Sequence, residues 1–370
     1  MDRPHIETIH ILNYGCIRDV KIKLTPLHAL IGPNDSGKST VLMALRTSTT
    51  IAAGNLRHAG DDFHKLRSAI QLNPEFLFRV AFGGDTWGLR PLKVEGAGDA
   101  GDAFLISEAL MGQSTRFSLD NGSELARRDP NLKASVAGSL LLRLEPDALR
   151  QPTSLIQDGA PVRFMNSLGL GLPAIYDAII TRDLPAYMAI NAELRRLFPA
   201  VKSLSLKNQT NATKALGIQL TSGAVVSADF MSEGMLYYLA YAALAHLEPT
   251  AVILVEEPEN GLHPARIRDV MAVLREISKG TQVIVATHSP LVINELEPDE
   301  VTVLTRKPEE GTVAVPIHET PNFVERASVY ALGELWVSYA DGKYEEPLFK
   351  DPEPPPDPGE PLEWTETDDR

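Results

Sequence analysis

The chain has 370 residues, 44% of them hydrophobic and 23% charged, enough to bury one large core or two modest ones and to fold by itself. Its formal net charge of −14 argues against a surface basic all over, the kind that holds duplex phosphates non-specifically. The single cysteine, Cys16, rules out an internal disulfide, and no group of His and Cys has metal-ligand spacing.

The opening residues, with Asp2, Arg3 and His5, lack the apolar block of a secretory signal. The longest apolar stretch, 235–247, is well short of the roughly 20 residues that a membrane span needs. The expectation is a cytoplasmic protein with no membrane partner.

Alternating runs over 6–12 and 20–24 predict two strands, and the apolar run 27–31 a buried strand. A glycine-bearing loop then leads into a helix over 39–46. The pattern is strand-like again over 76–94, whereas 95–135, rich in Gly, Asp, Ser and Ala, predicts a surface excursion. Apolar positions at Ile175, Ile179, Leu184, Met188, Ile190 and Leu197 predict helix over 172–198. Beyond that, helices over 235–247 and 265–279 alternate with strands over 251–255, 282–286 and 301–305. Strands separated by single helices imply a parallel sheet. No sustained heptad pattern occurs, which excludes a long coiled coil between the two halves. The segment 351–370 sets a run of carboxylates against the lone Arg370, is rich in proline, and predicts a solvated, disordered acidic end. Recruitment of a basic partner is the other reading of such an end.

The strongest local signal is Gly32-Pro33-Asn34-Asp35-Ser36-Gly37-Lys38-Ser39, a P-loop pattern directly after an apolar strand and before a helix. Glycine is needed at both ends because backbone N–H groups turn inward around phosphates and the helix aims its positive end at them. In this reading Lys38 reaches the outer phosphates, Ser39 places its hydroxyl on Mg2+, and Thr40 adds a secondary polar contact.

The next signal is the strand over 251–255 followed by Glu256 and Glu257. Carboxylates at the carboxyl end of a parallel strand sit at the ligand edge of such a sheet. Successive residues point differently, so Glu256 can face Mg2+ through water while Glu257 faces the attacking water as base. A pair of solvated acids is the plainer reading, and the P-loop in the same chain weighs against it. His288 comes one helical crossover after Glu257, at the end of the next strand, where an imidazole can hydrogen-bond a γ-phosphate or serve structure alone. Ser232, upstream of the double-acid strand, opens an apolar helix as a natural N-cap, and a helix start is an anion site.

The order of these elements resembles the ABC-type ATPase heads, and within them the RecF-like and OLD-like AAA-family ATPases of bacterial DNA repair and antiphage defence. The closest matches are Gly32 to Ser39, Met231 to Gly234, Val255 to Pro264 and Ala286 to Pro290; Gly333-Glu334-Leu335-Trp336 is also similar. The resemblance implies an α/β fold with a mostly parallel core sheet, an antiparallel N-terminal β layer and a helical lobe. It implies a head over 1–345, with one lobe around 1–95 and 250–345 and a helical or insert lobe around 96–249, then a tail over 346–370. It further implies ATP and Mg2+ as cofactors, a head-to-tail homodimer in which Ser232 and Gly234 act in trans, Glu257 as base, Glu256 serving the metal, and His288 sensing the γ-phosphate. Gln71 is the best candidate for the glutamine that joins the metal shell. The signature lacks the second Gly and the Gln of transporter ATPases, and Glu256 stands where Asp is commoner, which points toward the repair and defence branch. OLD-type nucleases append a sizeable nuclease domain after the ATPase. Here only the segment 291–370 follows Pro290, too little for one, so the expected effector is a separate protein.

The alternatives are the ATP-binding subunit of a transporter and a nucleotide-gated scaffold that does not hydrolyse, against which Glu257 argues. Arg195, Arg196, Lys202, Lys207 and Lys214 offer a DNA-facing patch, or else a solvated basic face.

Overall fold

The computed structural model describes residues 5–53, 77–92, 105–110, 113–118, 123–136, 138–307, 309–321 and 323–339. Gln71 and the acidic segment 346–370 lie outside the described residues. The chain divides into two compact units, one of Met1–Leu141, Thr250–Glu257 and Ser278–Arg370, the other of Leu142–Pro249 and Pro258–Ile277.

In the first unit, β1 (Thr8–Tyr14) and β2 (Ile17–Lys23) pair as a hairpin, with Val20 and Ile22 buried between exposed Asp19 and Lys23. They continue into β4 (Leu77–Phe82), β5 (Asp85–Leu92), β6 (Leu105–Leu110) and β7 (Gln113–Ser118), a six-stranded antiparallel sheet in the order β2-β1-β4-β5-β6-β7. Residues 105–110 and 113–118, expected on composition to be part of a surface excursion, are therefore strands. The helices Glu124–Arg128 and Pro130–Val136 follow, and they bury Leu125, Leu132 and Val136 in the same core as Phe78 and Trp87. What composition hides is a tertiary contact: the buried carboxylate of Glu108 accepts from Trp87 Nε1 at 3.1 Å, from Ser123 Oγ, and from the backbone N–H of Glu124 and Leu125 at 2.7 and 3.0 Å. A buried charge is tolerated when it is satisfied in this way.

The second sheet of this unit contains β3 (Leu27–Ile31), β8 (Ser139–Leu142), β13 (Val252–Glu256), β14 (Gln282–Thr287), β15 (Val301–Lys307) and β16 (Gly311–Pro316), in the order β16-β15-β3-β14-β13-β8. The four central strands, β15, β3, β14 and β13, run parallel, and β16 returns antiparallel along β15. Strands β3 and β14 are buried at every residue, as a sheet covered on both faces requires.

The helix Lys38–Ala53 runs well beyond the expected end at 46. Its Thr-Ser-Thr-Thr tract reads as a breaker, because such side chains compete for backbone groups. Burial overrides that tendency: Thr49 Oγ1 donates to Leu45 O at 2.8 Å and Thr47 Oγ1 lies 2.9 Å from Tyr14 OH. Val41, Leu42 and Leu45 then join Ile9, Ile11, Leu30, Leu254 and Ile284 in one core. Each such side chain contributes roughly 1.5–3 kcal/mol relative to exposure.

The second unit is built on helices Leu172–Arg182, Leu184–Leu197, Glu233–Ala243 and Pro264–Ser278. The continuous helix expected over 172–198 is two. Asp183 ends the first and caps the second by accepting from Ala186 N at 3.1 Å, with Pro185 in the first turn. Four short strands lie outside the expected pattern: β9 (Thr153–Ser154), β10 (Val201–Asn208), β11 (Thr213–Leu220) and β12 (Val225–Ser227) form an antiparallel sheet. Two of them, β10 and β11, carry Lys202, Lys207 and Lys214. The charge of the basic group is partly compensated on the spot. Arg196 pairs with Glu193 at 2.5 Å and Asp269 at 3.2 Å, and Lys214 pairs with Asp177, whereas the Arg195 bond, to Lys202 O at 3.3 Å, is to a neutral carbonyl. Among the described residues no helix is long and apolar enough to cross a membrane.

Candidate functional site

The register of the parallel sheet brings three sequence signals to one edge. Glu256 of β13 is level with Ala286 of β14, which is level with Leu30 of β3, and Thr287 is level with Ile31. The glycine loop, the two acids and His288 therefore leave neighbouring strands, spaced about 4.8 Å apart, at the same height.

The loop after β3 is held tightly from behind. A Cβ on Gly32 would fall 2.2 Å from Leu304 O, and one on Gly37, at φ 104°, 2.4 Å from Thr312 Oγ1, so strands β15 and β16 leave room for glycine alone. Asp35 adopts φ 65°. Lys38, 9% exposed, donates from Nζ to Gly32 O at 2.7 Å and Pro33 O at 2.8 Å, which folds its ammonium back into the loop. Ser36 Oγ is buried with no hydrogen-bond partner among the described residues, an exception to the rule that buried hydroxyls are satisfied. Asn34, Asp35 and Ser39 differ in exposure from the buried Ser36 and Lys38 between them, and Pro33 is half-buried. Thr40, expected as a secondary polar contact, places its hydroxyl 3.3 Å from Cys16 Sγ.

At the end of β13, Glu257 donates its backbone N–H to Ala286 O at 2.8 Å and then turns at φ 47°. A non-glycine residue in the left-handed region costs roughly 1–3 kcal/mol and is characteristic of functional sites. The turn brings Glu257 Oε1 to 3.2 Å from His288 Nδ1, both side chains being partly exposed. Beyond the histidine, Thr287 Oγ1 accepts from Ser289 N at 2.9 Å, which fixes the exit from β14. Glu256 is half-buried beside them.

The other unit presents a second group. Ser232 occupies the N-cap position of the helix Glu233–Ala243, but its side chain makes no cap hydrogen bond, so it is an N-cap in backbone geometry only. It is exposed, and Gly234 lies against Gly261 O at a prospective Cβ distance of 3.5 Å. Around them is a cleft of about 600 Å3 whose lining includes Phe198, Ser232, Gly234, Gly261, His263 and Arg266. Reading the sequence missed Arg266. Its guanidinium stands 5.0 Å from the centre of the Phe198 ring and donates to Asp269 Oδ2 at 3.1 Å and to Leu197 O. Only the Arg266–Asp269 helical spacing is visible locally.

Residues 27–294 match the family described as "AAA domain, putative AbiEii toxin, Type IV TA system". The chain is also similar to the OLD nuclease of Thermus scotoductus, at 23% identity over 355 residues, covering 84% of this chain and 63% of that protein. It thus spans less than two thirds of that relative's length. Among solved structures, the crystal structure of an SMC head bound to the C-winged helix domain of ScpA is similar with a TM-score of 0.51 and 15% identity, over 84% of this chain and 97% of that one. The likeness shows the fold, that of a P-loop ATPase head of ABC type, as the order of motifs implied.

Proposed function

The chain belongs to this AAA-domain family, and from that premise we propose that it binds Mg-ATP and hydrolyses it between two copies stacked head to tail. The observation that carries the reading is the Glu257–His288 pair at 3.2 Å, on the strand edge from which the glycine loop emerges. Backbone N–H groups between Gly32 and Gly37 cradle the phosphates, and the buried, unpartnered Ser36 hydroxyl fits such a ligand. Lys38 exchanges the carbonyls of Gly32 and Pro33 for phosphate oxygens.

Among the described residues no cluster of three His, Cys, Asp or Glu is placed to hold a metal by itself. Mg2+ binds through few protein ligands together with phosphate oxygens and water, and Ser39 with Glu256 fits that donor set. When bound, the ion neutralises charge on the outer phosphates. Glu257 accepts the proton of the attacking water, and His288, held by Glu257, hydrogen-bonds the γ-phosphate. The exposed hydroxyl of Ser232, unused by its own helix, with Gly234 beside it, meets the nucleotide held by the other copy. Nucleotide state then opens and closes the dimer and regulates a separate effector protein or a DNA transaction in genome maintenance or antiphage defence.

The test is Glu257→Gln with Mg-ATP. Loss of a general base predicts hydrolysis slowed roughly 100-fold or more, with nucleotide still bound and the two-copy form enriched in light scattering. Hydrolysis at the wild-type rate contradicts the assignment.

A further inference from the structure

We infer that Trp336 is a positioning residue: by fixing the main chain of His288, it sets the imidazole against Glu257. The inference rests on the ATPase reading above and adds to it a residue far beyond the histidine in the chain.

Trp336 is 4% exposed, and its Nε1 donates to the carbonyl oxygen of His288 at 3.2 Å. Its helix, Leu332–Tyr339, is docked on the segment that follows the histidine. Gly333 N donates to Asn294 Oδ1 at 2.7 Å. The approach at Gly333 is so close that a Cβ there would stand 2.1 Å from Pro290 O. The helix Pro290–Ile293 is a single turn and has little rigidity of its own. Its position depends on what is packed against it.

A buried indole N–H needs an acceptor, and here the acceptor is the main-chain carbonyl of the histidine that stands against Glu257. The bond falls on a residue whose side chain reaches Glu257. At 3.2 Å the imidazole–carboxylate contact is near the long end of hydrogen-bond range, so a shift of about 1 Å in the His288 backbone breaks it. Internal bonding of the turn, Ser289 N to Thr287 Oγ1, shapes the loop. Trp336 adds a tie from a separate helix to the main chain of His288.

The experiment measures steady-state turnover, nucleotide affinity and thermal midpoint for Trp336→Phe, Asn294→Ala, His288→Ala and the two doubles with His288→Ala, all in the full chain. Trp336→Phe keeps a buried ring and removes the N–H. It is expected to lower kcat roughly 3- to 10-fold, the effect of one hydrogen bond, with ATP affinity unchanged and no further loss in the His288→Ala background. Asn294→Ala removes an exposed acceptor without touching the core, and is expected to act in the same direction with the same dependence on His288. Full turnover in Trp336→Phe, or a loss that multiplies undiminished onto His288→Ala, overturns the inference. If Trp336→Phe does not fold, Asn294→Ala decides, and full turnover there overturns it. Wild-type turnover in His288→Ala itself is a different failure: it removes the ATPase role of the histidine, and the positioning role falls with it.

Discussion

His288 Nδ1 stands 3.2 Å from Glu257 Oε1, although the whole helix Pro264–Ser278 and the strand β14 separate them in the chain. Two adjacent parallel strands of matched register make the contact, and the left-handed turn at Glu257 aims the carboxylate. A pair so arranged acts as one unit. Glu257→Gln is expected to cost roughly 10²- to 10⁴-fold in turnover, and adding His288→Ala is expected to cost little more. Single-turnover phosphate release for the two single variants and the double variant measures this, and multiplying losses would mean two independent groups.

Lys38→Ala removes the ammonium that caps the loop carbonyls Gly32 O and Pro33 O. Mg-ATP at 100 times its dissociation constant should stabilise the wild-type fold by about 2.7 kcal/mol, through linkage alone. The variant is expected to show no ligand-dependent shift in thermal midpoint. A shift equal to that of the wild type would place the triphosphate elsewhere.

His28 lies in β3, 1% exposed, between Thr25 Oγ1 at 3.2 Å and Thr302 Oγ1 at 2.9 Å. Burial pushes its pKa from 6.5 down to about 3, so the folded chain holds this imidazole neutral where the unfolded chain protonates it. Its stabilising contribution is complete above pH 6.5 and is lost as pH falls toward 3, by about 1.4 kcal/mol per unit. His10, also lowered by burial, adds a slope of the same sign. Urea unfolding between about pH 6.5 and about 5, above the main carboxylate range, is expected to show the decline, and His28→Asn to flatten it. An unchanged slope in the variant would show that His28 titrates in the fold as it does in water.

Glu108→Ala strands four donors at once: Trp87 Nε1, Ser123 Oγ, and the N–H groups of Glu124 and Leu125. Leaving buried partners unpaired predicts a loss of roughly 3–5 kcal/mol in the free energy of unfolding, measured by urea denaturation. A loss under about 1 kcal/mol would mean that water replaces the carboxylate.

The parts of the fold legible in the sequence are those whose signal is local. The apolar run of β3, the glycine loop, the acids after β13 and the histidine after β14 each announce themselves within a short window. The break at Asp183 runs against the expected continuous helix over 172–198, although it has a local mark, an N-cap acid shortly before Pro185. Strand β10 lies outside the expected pattern because its buried Val201 and Leu204 lie among lysines that draw attention to charge instead. Glu108 and Arg266 are not legible, because their partners are distant and the reason to bury a carboxylate or stack a guanidinium exists only in the folded core. The free hydroxyl of Ser232 belongs with them: sequence gives the cap position, and only geometry tells whether the side chain caps.

The central claim is that Lys38 of one copy and Ser232 of another serve the same nucleotide. Lys38→Ala and Ser232→Arg chains, each expected to be inactive alone, are mixed in equal amounts and assayed for ATP hydrolysis. Random pairing gives half mixed dimers, each with one intact site, so about a quarter of wild-type activity should return. Two folded variants that exchange subunits and regain none, or a Ser232→Arg chain fully active by itself, would contradict the account.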